Sequence, residues 1–175
     1  MTYDRSIRRL FPSAALATAL LALAVGSGHG QSSDPADIAE GMRIFQQKGS
    51  CQTCHGWAGD GRKMDSQMPD GANLRETALG RADLITTVKC GRPGREMPAF
   101  DKFAYSDGRC FGLKESDLAA RGLDLPDPPA TLQPREVEMV VDFLLAKIVG
   151  KGPMNHAKCV ELFGREVEAC GEFPN

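Results

Sequence analysis

The chain has 175 residues, enough for one domain with its own hydrophobic core but not for two independent domains. Its 21 Lys and Arg side chains nearly balance its 23 Asp and Glu side chains, and without the first 30 residues 18 basic and 22 acidic side chains would remain. This balance excludes the strongly basic surface of a nucleic-acid-binding protein.

The first 30 residues have the order of a secretory signal peptide. Three arginines precede an apolar run of twelve residues from Ala14 to Val25, and small residues follow as far as Gly30. The run is shorter than the ~20 residues that cross a bilayer, so an uncleaved anchor is the less favoured alternative, and no later segment is apolar enough to span. We therefore predict cleavage between Gly26 and Gln31, a periplasmic location, and no membrane span in the mature chain.

A short amphipathic helix is predicted next. Asp34 and Pro35 are typical of an N-cap and a first helical position. Ile38, Met42 and Phe45 then recur at i, i+4 and i+7, which predicts a helix to about Gln47. This helix leads directly into a cluster of cysteines and histidine.

The cluster is Cys51-x-x-Cys54-His55, the attachment motif for c-type haem. Both thiols add to the porphyrin vinyl groups, and the histidine next to them becomes an axial ligand of the iron. A thioredoxin-like motif would need a preceding βαβ pattern, and a zinc site would need four ligands, for which His156 is the one other histidine after cleavage. A plain disulfide is the remaining alternative. The motif predicts one covalently bound haem c.

A second amphipathic helix is predicted to open at Pro134. One broad face of it carries Val137, Val140, Val141, Leu144, Leu145 and Ile148. Packing of this helix against the first would enclose the haem between them.

These residues resemble the class I, or mono-haem, cytochrome c family. The likeness covers roughly residues 36–100 and 134–148, and is carried by GMRIFQQKGSCQTCHG (41–56), GANL (71–74), GRPGREMPAF (91–100) and REVEMVVDFLLAK (135–147). It implies an all-α fold around one haem in residues 31–150, in which Gly41 and Phe45 cross the last helix near Phe143.

The resemblance also implies a second axial ligand. Met97 stands where the family supplies a methionine, and Pro98 favours an extended backbone at Met97. Met64 and Met68 are the competing candidates. The family's GPNL turn orients the histidine ring through a backbone carbonyl. Here Ala72 replaces the proline, although its carbonyl could still accept that bond.

Four cysteines remain, and they allow three pairings. Proximity favours Cys90–Cys110 and Cys159–Cys170. Residues 101–133 form an insert before the last core helix, with a short helix near Lys114 to Arg121 and an extended, proline-rich segment. Residues 151–175 form a C-terminal extension in which Asn155 could cap a helix through Phe163.

Side chains around the haem motif suggest several smaller roles. Trp57 is assigned to packing in preference to a bond with a haem propionate, and His156 to an exposed or capping position. Arg62 and Arg92 are either propionate partners or surface charges. A basic rim that steers an acidic partner could be formed by Lys48, Arg62, Lys63, Lys89, Arg92 and Arg95.

The function predicted from these patterns is an electron carrier and not an enzyme. It would shuttle single electrons through haem ligated by His55 and Met97, as a monomer or as a subunit of a redox complex. Its partners would be redox proteins, either a dehydrogenase or a terminal oxidase or cytochrome. One alternative is a dedicated haem subunit or electron acceptor of a periplasmic quinoprotein-type dehydrogenase. Another is a five-coordinate haem sensor or peroxidase-like enzyme.

Overall fold

A computed structural model describes residues 34–174, which are helical and contain no β-strand beyond two isolated bridges. The six α-helices are α1 Pro35–Arg43, α2 Gln52–His55, α3 Arg81–Cys90, α4 Glu115–Arg121, α5 Pro134–Lys147 and α6 His156–Phe163, and a π-helical turn at Ile44–Lys48 and a 3-10 helix at Glu168–Glu172 complete the set. The described residues therefore have the all-α character that the sequence predicts. The proposed signal peptide, residues 1–30, lies outside the described residues.

Between residues 34 and 174, no helix has both the length and the apolar character needed to cross a membrane.

The first helix begins where the sequence predicts. The Asp34 carboxylate accepts a hydrogen bond from the Ala36 N–H at 2.9 Å, and Pro35 occupies the first helical position. After Arg43 the helix widens into the π-helical turn, which buries Ile44 and Phe45 completely. The predicted helical stretch to about Gln47 is therefore present, but its last turn is π-helical.

Helices α1 and α5 cross at very short range, as the resemblance implies. Gly41 lies against the backbone of α5: a Cβ atom there would approach the Cβ of Phe143 to 2.8 Å. One turn later, the rings of Phe45 and Phe143 lie 5.6 Å apart. The absence of a side chain at Gly41 therefore sets the separation of the two helices.

The insert has a small core of its own. A disulfide joins Cys90, at the end of α3, to Cys110. Buried around it are Ala99, Ala104, Tyr105 and Leu118. The Tyr105 hydroxyl donates a 2.6 Å hydrogen bond to the Cys90 carbonyl. The insert is thus attached to α3 by a covalent bond and by a buried hydrogen bond.

The C-terminal extension packs on the residues that follow the haem motif. Asn155 caps α6 by accepting a hydrogen bond from the Lys158 N–H at 2.9 Å. The Cys159–Cys170 disulfide joins α6 to the 3-10 helix. The ring of Trp57 lies 5.2 Å from that of Phe163 and 5.6 Å from that of Phe173. Trp57 therefore has the packing role that the sequence favours.

Candidate haem site

The two motif cysteines flank a single helical turn. Cys51 stands immediately before α2, and Cys54 and His55 are its last two residues. Both cysteines are free thiols, and both are partly buried. Burial, with a smaller contribution from the proximity of Cys54, raises the pKa of the Cys51 thiol to about 12. The plain Cys51–Cys54 disulfide is absent, and both sulfurs are available for thioether bonds.

The imidazole of His55 is held by one hydrogen bond. Its Nδ1 lies 2.9 Å from the carbonyl oxygen of Ala72. A carbonyl can only accept, so Nδ1 carries the hydrogen and Nε2 keeps the lone pair that a metal needs. The resemblance implied this role for Ala72, and the geometry is present without the family's proline.

The charge state of His55 also suits a metal ligand. Burial lowers its pKa below the ordinary 6.5, and the positive charge of Arg92 lowers it further, whereas the hydrogen bond to Ala72 raises it. The net effect is a lower pKa. A neutral imidazole is therefore favoured at pH 7, and only the neutral ring can bind iron.

The segment that carries Ala72 packs backbone to backbone on the motif. The Gly71 N–H donates to the Cys54 carbonyl at 3.1 Å, and a Cβ atom at Gly71 would approach that oxygen to 2.6 Å. Glycine is therefore required at this contact. The close approach brings the Ala72 carbonyl within reach of the imidazole.

Met97 lies in a tightly folded segment, residues 91–100, which we call the Met97 loop. The Arg92 N–H donates to the Met97 carbonyl at 2.9 Å, and these two residues form an isolated bridge. Glu96 has a positive φ of 59°, a conformation that costs a non-glycine residue on the order of 1 kcal/mol or more. Such strain is concentrated at functional sites in proteins.

The three candidate methionines differ in exposure. Met97 is partly buried, whereas Met64 is 56% exposed and Met68 is 36% exposed. The charge of Arg92, which is hydrogen-bonded to Met97 through the backbone, also acts on His55. This relation connects the Met97 loop electrostatically with His55.

The predicted basic rim is broken by ion pairs. Four of its members lie within 4.0 Å of carboxylates, in the pairs Lys48–Glu136, Arg62–Asp60, Lys63–Asp70 and Lys89–Asp101. Among the described residues, Arg92 and Arg95 form no such pair. The members of the predicted rim without an ion pair are therefore both in the Met97 loop, which also contains Glu96.

Two buried charged residues were not anticipated from the sequence. Asp142 of α5 is completely buried and forms an ion pair with Arg81. Arg75 is 2% exposed and donates hydrogen bonds to the carbonyls of Gly152 and Ala58. Neither position belongs to a motif, and a single charged residue in a sequence usually indicates a solvated surface position.

Comparison with known protein families supports the assignment of these residues to a haem site. A family model described as cytochrome C oxidase, cbb3-type, subunit III matches residues 36–109, which contain α1, the haem motif and the Met97 loop. Over these residues the chain is similar to a c-type cytochrome domain. A cytochrome c domain implies covalently bound haem c, and the free Cys51 and Cys54 thiols beside His55 fit that group. No curated protein and no solved structure matches the chain.

Proposed function

We propose that the protein is an exported, mono-haem c-type cytochrome that carries single electrons between redox partners in the periplasm. The observation that carries this proposal is the 2.9 Å contact between His55 Nδ1 and the Ala72 carbonyl. It leaves the lone pair on Nε2 free for a metal, in a histidine that directly follows the free thiol of Cys54. The leader-like residues 1–30 support export.

Each site residue has a distinct part in this proposal. Cys51 and Cys54 would hold the haem covalently, His55 would bind the iron through Nε2, and Met97 would supply a thioether sulfur on the opposite side. The haem supplies the chemistry, since its iron gains and loses one electron. A thioether ligand favours ferrous iron and therefore raises the reduction potential.

The surrounding chain keeps the Met97 loop in place. The Cys90–Cys110 disulfide anchors one end of the loop. Phe100, at the other end, donates to the Val88 carbonyl at 3.2 Å and accepts from the Leu132 N–H at 2.8 Å. A loop held at both ends would keep the methionine sulfur close to the iron and exclude small ligands, as electron transfer without catalysis requires.

The test compares absorption spectra of the holoprotein with those of three variants. The oxidised wild type should show the weak sulfur-to-iron charge-transfer band, and its reduced form should not bind carbon monoxide. Met97→Ala should lose the band and bind carbon monoxide, whereas Met64→Ala and Met68→Ala should behave as wild type. A wild type that lacks the band and binds carbon monoxide readily would instead favour a sensor or a peroxidase-like enzyme.

A second candidate function is a dedicated haem subunit of a larger redox complex, such as the electron acceptor of a quinoprotein-type dehydrogenase. The matching family model is described as an oxidase subunit. The insert also presents two large aromatic side chains to solvent, Phe103 at 53% and Phe111 at 57% exposed. Exposed apolar area of this kind often marks a protein–protein interface.

A cavity of about 380 Å³ lies between this insert and the Met97 loop. Its lining consists of Thr87, Gly91, Arg92, Pro93, Arg95 and Phe111 and includes no carboxylate. A partner could therefore dock with an acidic residue close to the haem. Size-exclusion chromatography of the native protein separates the two functions, because a free shuttle elutes at the mass of one chain and a subunit elutes with its complex.

A further inference from the structure

Arg75 is a buried cation that plays no part in the proposed electron transfer. Its Nε donates to the Gly152 carbonyl at 2.6 Å, and its Nη1 donates to the Ala58 carbonyl at 3.3 Å. These bonds use two of the five N–H donors of a guanidinium. Within residues 34–174, no carboxylate lies within 4.0 Å of the Arg75 guanidinium. Both hydrogen-bond partners are neutral, and the carboxylates of Asp60 and Glu161 act on the buried charge without direct contact.

The guanidinium lies against a cavity of about 90 Å³. Three ammonium groups share the lining, those of Lys147, Lys151 and Lys158, and Glu161 contributes one carboxylate. Four positive charges thus meet one negative charge, in a chain whose net charge is -2. This local excess is opposite in sign to the protein as a whole.

Two of the three lysine side chains are held by contacts within the protein. Lys158 Nζ donates to the Lys151 and Pro153 carbonyls at 2.8 and 2.9 Å, so its ammonium is fixed beside the cavity. Lys147 Nζ lies 3.6 Å from a carboxylate oxygen of Glu161. Lys151 is exposed and forms no ion pair within the described part of the chain. The site is partly assembled before any ligand binds.

The cost of burying the Arg75 charge and the volume of the cavity together indicate which kind of ligand binds there. A buried charge that no carboxylate contacts directly is costly, and an anion beside it lowers that cost. A volume of about 90 Å³ corresponds to roughly three water molecules. That space is too small for a nucleotide but fits a tetrahedral oxyanion, whose oxygens can accept from guanidinium and ammonium donors together.

We propose that the cavity bounded by Arg75, Lys147, Lys151 and Lys158 binds a small inorganic oxyanion, phosphate or sulfate. The site joins three parts of the molecule: α5, the C-terminal extension, and the residues after the haem motif. Arg75 also bonds to the motif segment through its backbone, since its N–H donates to the Gly59 carbonyl at 3.2 Å. Occupancy therefore stabilises the contact between the extension and the haem motif. The binding itself does not depend on how the iron is ligated.

Isothermal titration calorimetry of the oxidised holoprotein tests the proposal at pH 7. Phosphate and sulfate are titrated separately, with ionic strength held constant by chloride. We expect saturable binding of at least one of the two ions at one site per chain, and the titration identifies which. The same ion should raise the unfolding temperature of the holoprotein, while chloride at equal ionic strength should not.

Charge variants make the test specific to this cavity. Lys151→Gln removes an exposed cation without disturbing the fold and should weaken binding about tenfold, as expected for loss of one charge-assisted contact. Glu161→Gln removes the competing carboxylate and should tighten binding. Lys102→Gln, in the insert, is the matched control and should bind as wild type. Absence of saturable binding, or equal affinities in all three variants, would overturn the proposal.

Discussion

Replacement of Gly41 by alanine tests the helix crossing on which the haem site depends. Gly41 is buried within α1, at a backbone conformation that alanine adopts readily. Alanine should therefore favour the helix itself, by about 1 kcal/mol relative to glycine. Packing against α5 opposes this gain, because a larger side chain at position 41 destabilises the contact between the two helices.

A Cβ atom at position 41 would collide with the backbone of α5. It would lie 2.7 Å from the carbonyl carbon of Met139 and 2.8 Å from the Cβ of Phe143, whereas ordinary van der Waals contact starts at 3.4 Å. The helices would have to separate by roughly half an ångström or more. Overpacking costs about 1–3 kcal/mol, and backbone atoms cannot rotate away, so the upper end applies. After the propensity gain, we expect a net loss of about 2 kcal/mol.

Chemical denaturation of the holoprotein, followed by circular dichroism, measures this loss. The midpoint should fall with an unchanged slope, and the melting temperature should fall by roughly 6 °C. Gly171→Ala is the matched control, because a Cβ atom there meets nothing within 4 Å. It should change the free energy of unfolding by less than about 0.5 kcal/mol. Wild-type stability of Gly41→Ala would refute the close crossing of α1 and α5.

Three further changes test other parts of the structure by the same denaturation assay. Replacement of both Cys90 and Cys110 by serine should cost about 3 kcal/mol, because the disulfide closes a loop of 20 residues. Burial alone would raise the pKa of Glu136, but its hydrogen bonds, chiefly from Lys48, hold it below 4.5. The stability advantage over Glu136→Gln should therefore be complete above pH 4.5 and disappear as the pH falls. Tyr105→Phe should cost about 1 kcal/mol through loss of its buried hydrogen bond.

For each of the three changes, one outcome of the denaturation assay would contradict the prediction. Unchanged stability of the double serine variant would mean that the disulfide does not constrain the loop. A difference between wild type and Glu136→Gln that stays constant from pH 7 to pH 3 would exclude the ion pair as its source. Equal denaturation midpoints for Tyr105→Phe and wild type would show that the hydrogen bond from the Tyr105 hydroxyl does not contribute to stability.

Features with strong local signals were predictable from the sequence. The first residues of α1 and α5 are predicted by Pro35 and Pro134, and the helical character of each is predicted by the apolar spacing that follows. Helix α4 was predicted from Lys114 and begins at Glu115, with Lys114 as its N-cap. The two disulfides are the pairs that proximity favours, because short loops in a small domain bring such cysteines together.

Features that depend on tertiary packing were not predictable. Helix α3 buries only Leu84, Val88 and Cys90, so its sequence lacks a sustained apolar period. The π-helical turn before the motif has no sequence signature either. Arg75 stands in a polar segment, and only the return of the C-terminal extension buries it. Sequence order also does not show which residues of the predicted basic rim have a carboxylate beside them.

Binding of Met97 to the iron can be observed in the proton NMR spectrum of the ferrous holoprotein with isotopically labelled methionine methyl groups. A methionine bound to the iron lies over the porphyrin ring, whose ring current moves its methyl resonance far upfield. We expect one such resonance, which disappears in Met97→Ala and persists in Met64→Ala and Met68→Ala. A spectrum without an upfield methionine methyl, or one in which the signal disappears with Met64 or Met68, would contradict a haem ligated by His55 and Met97.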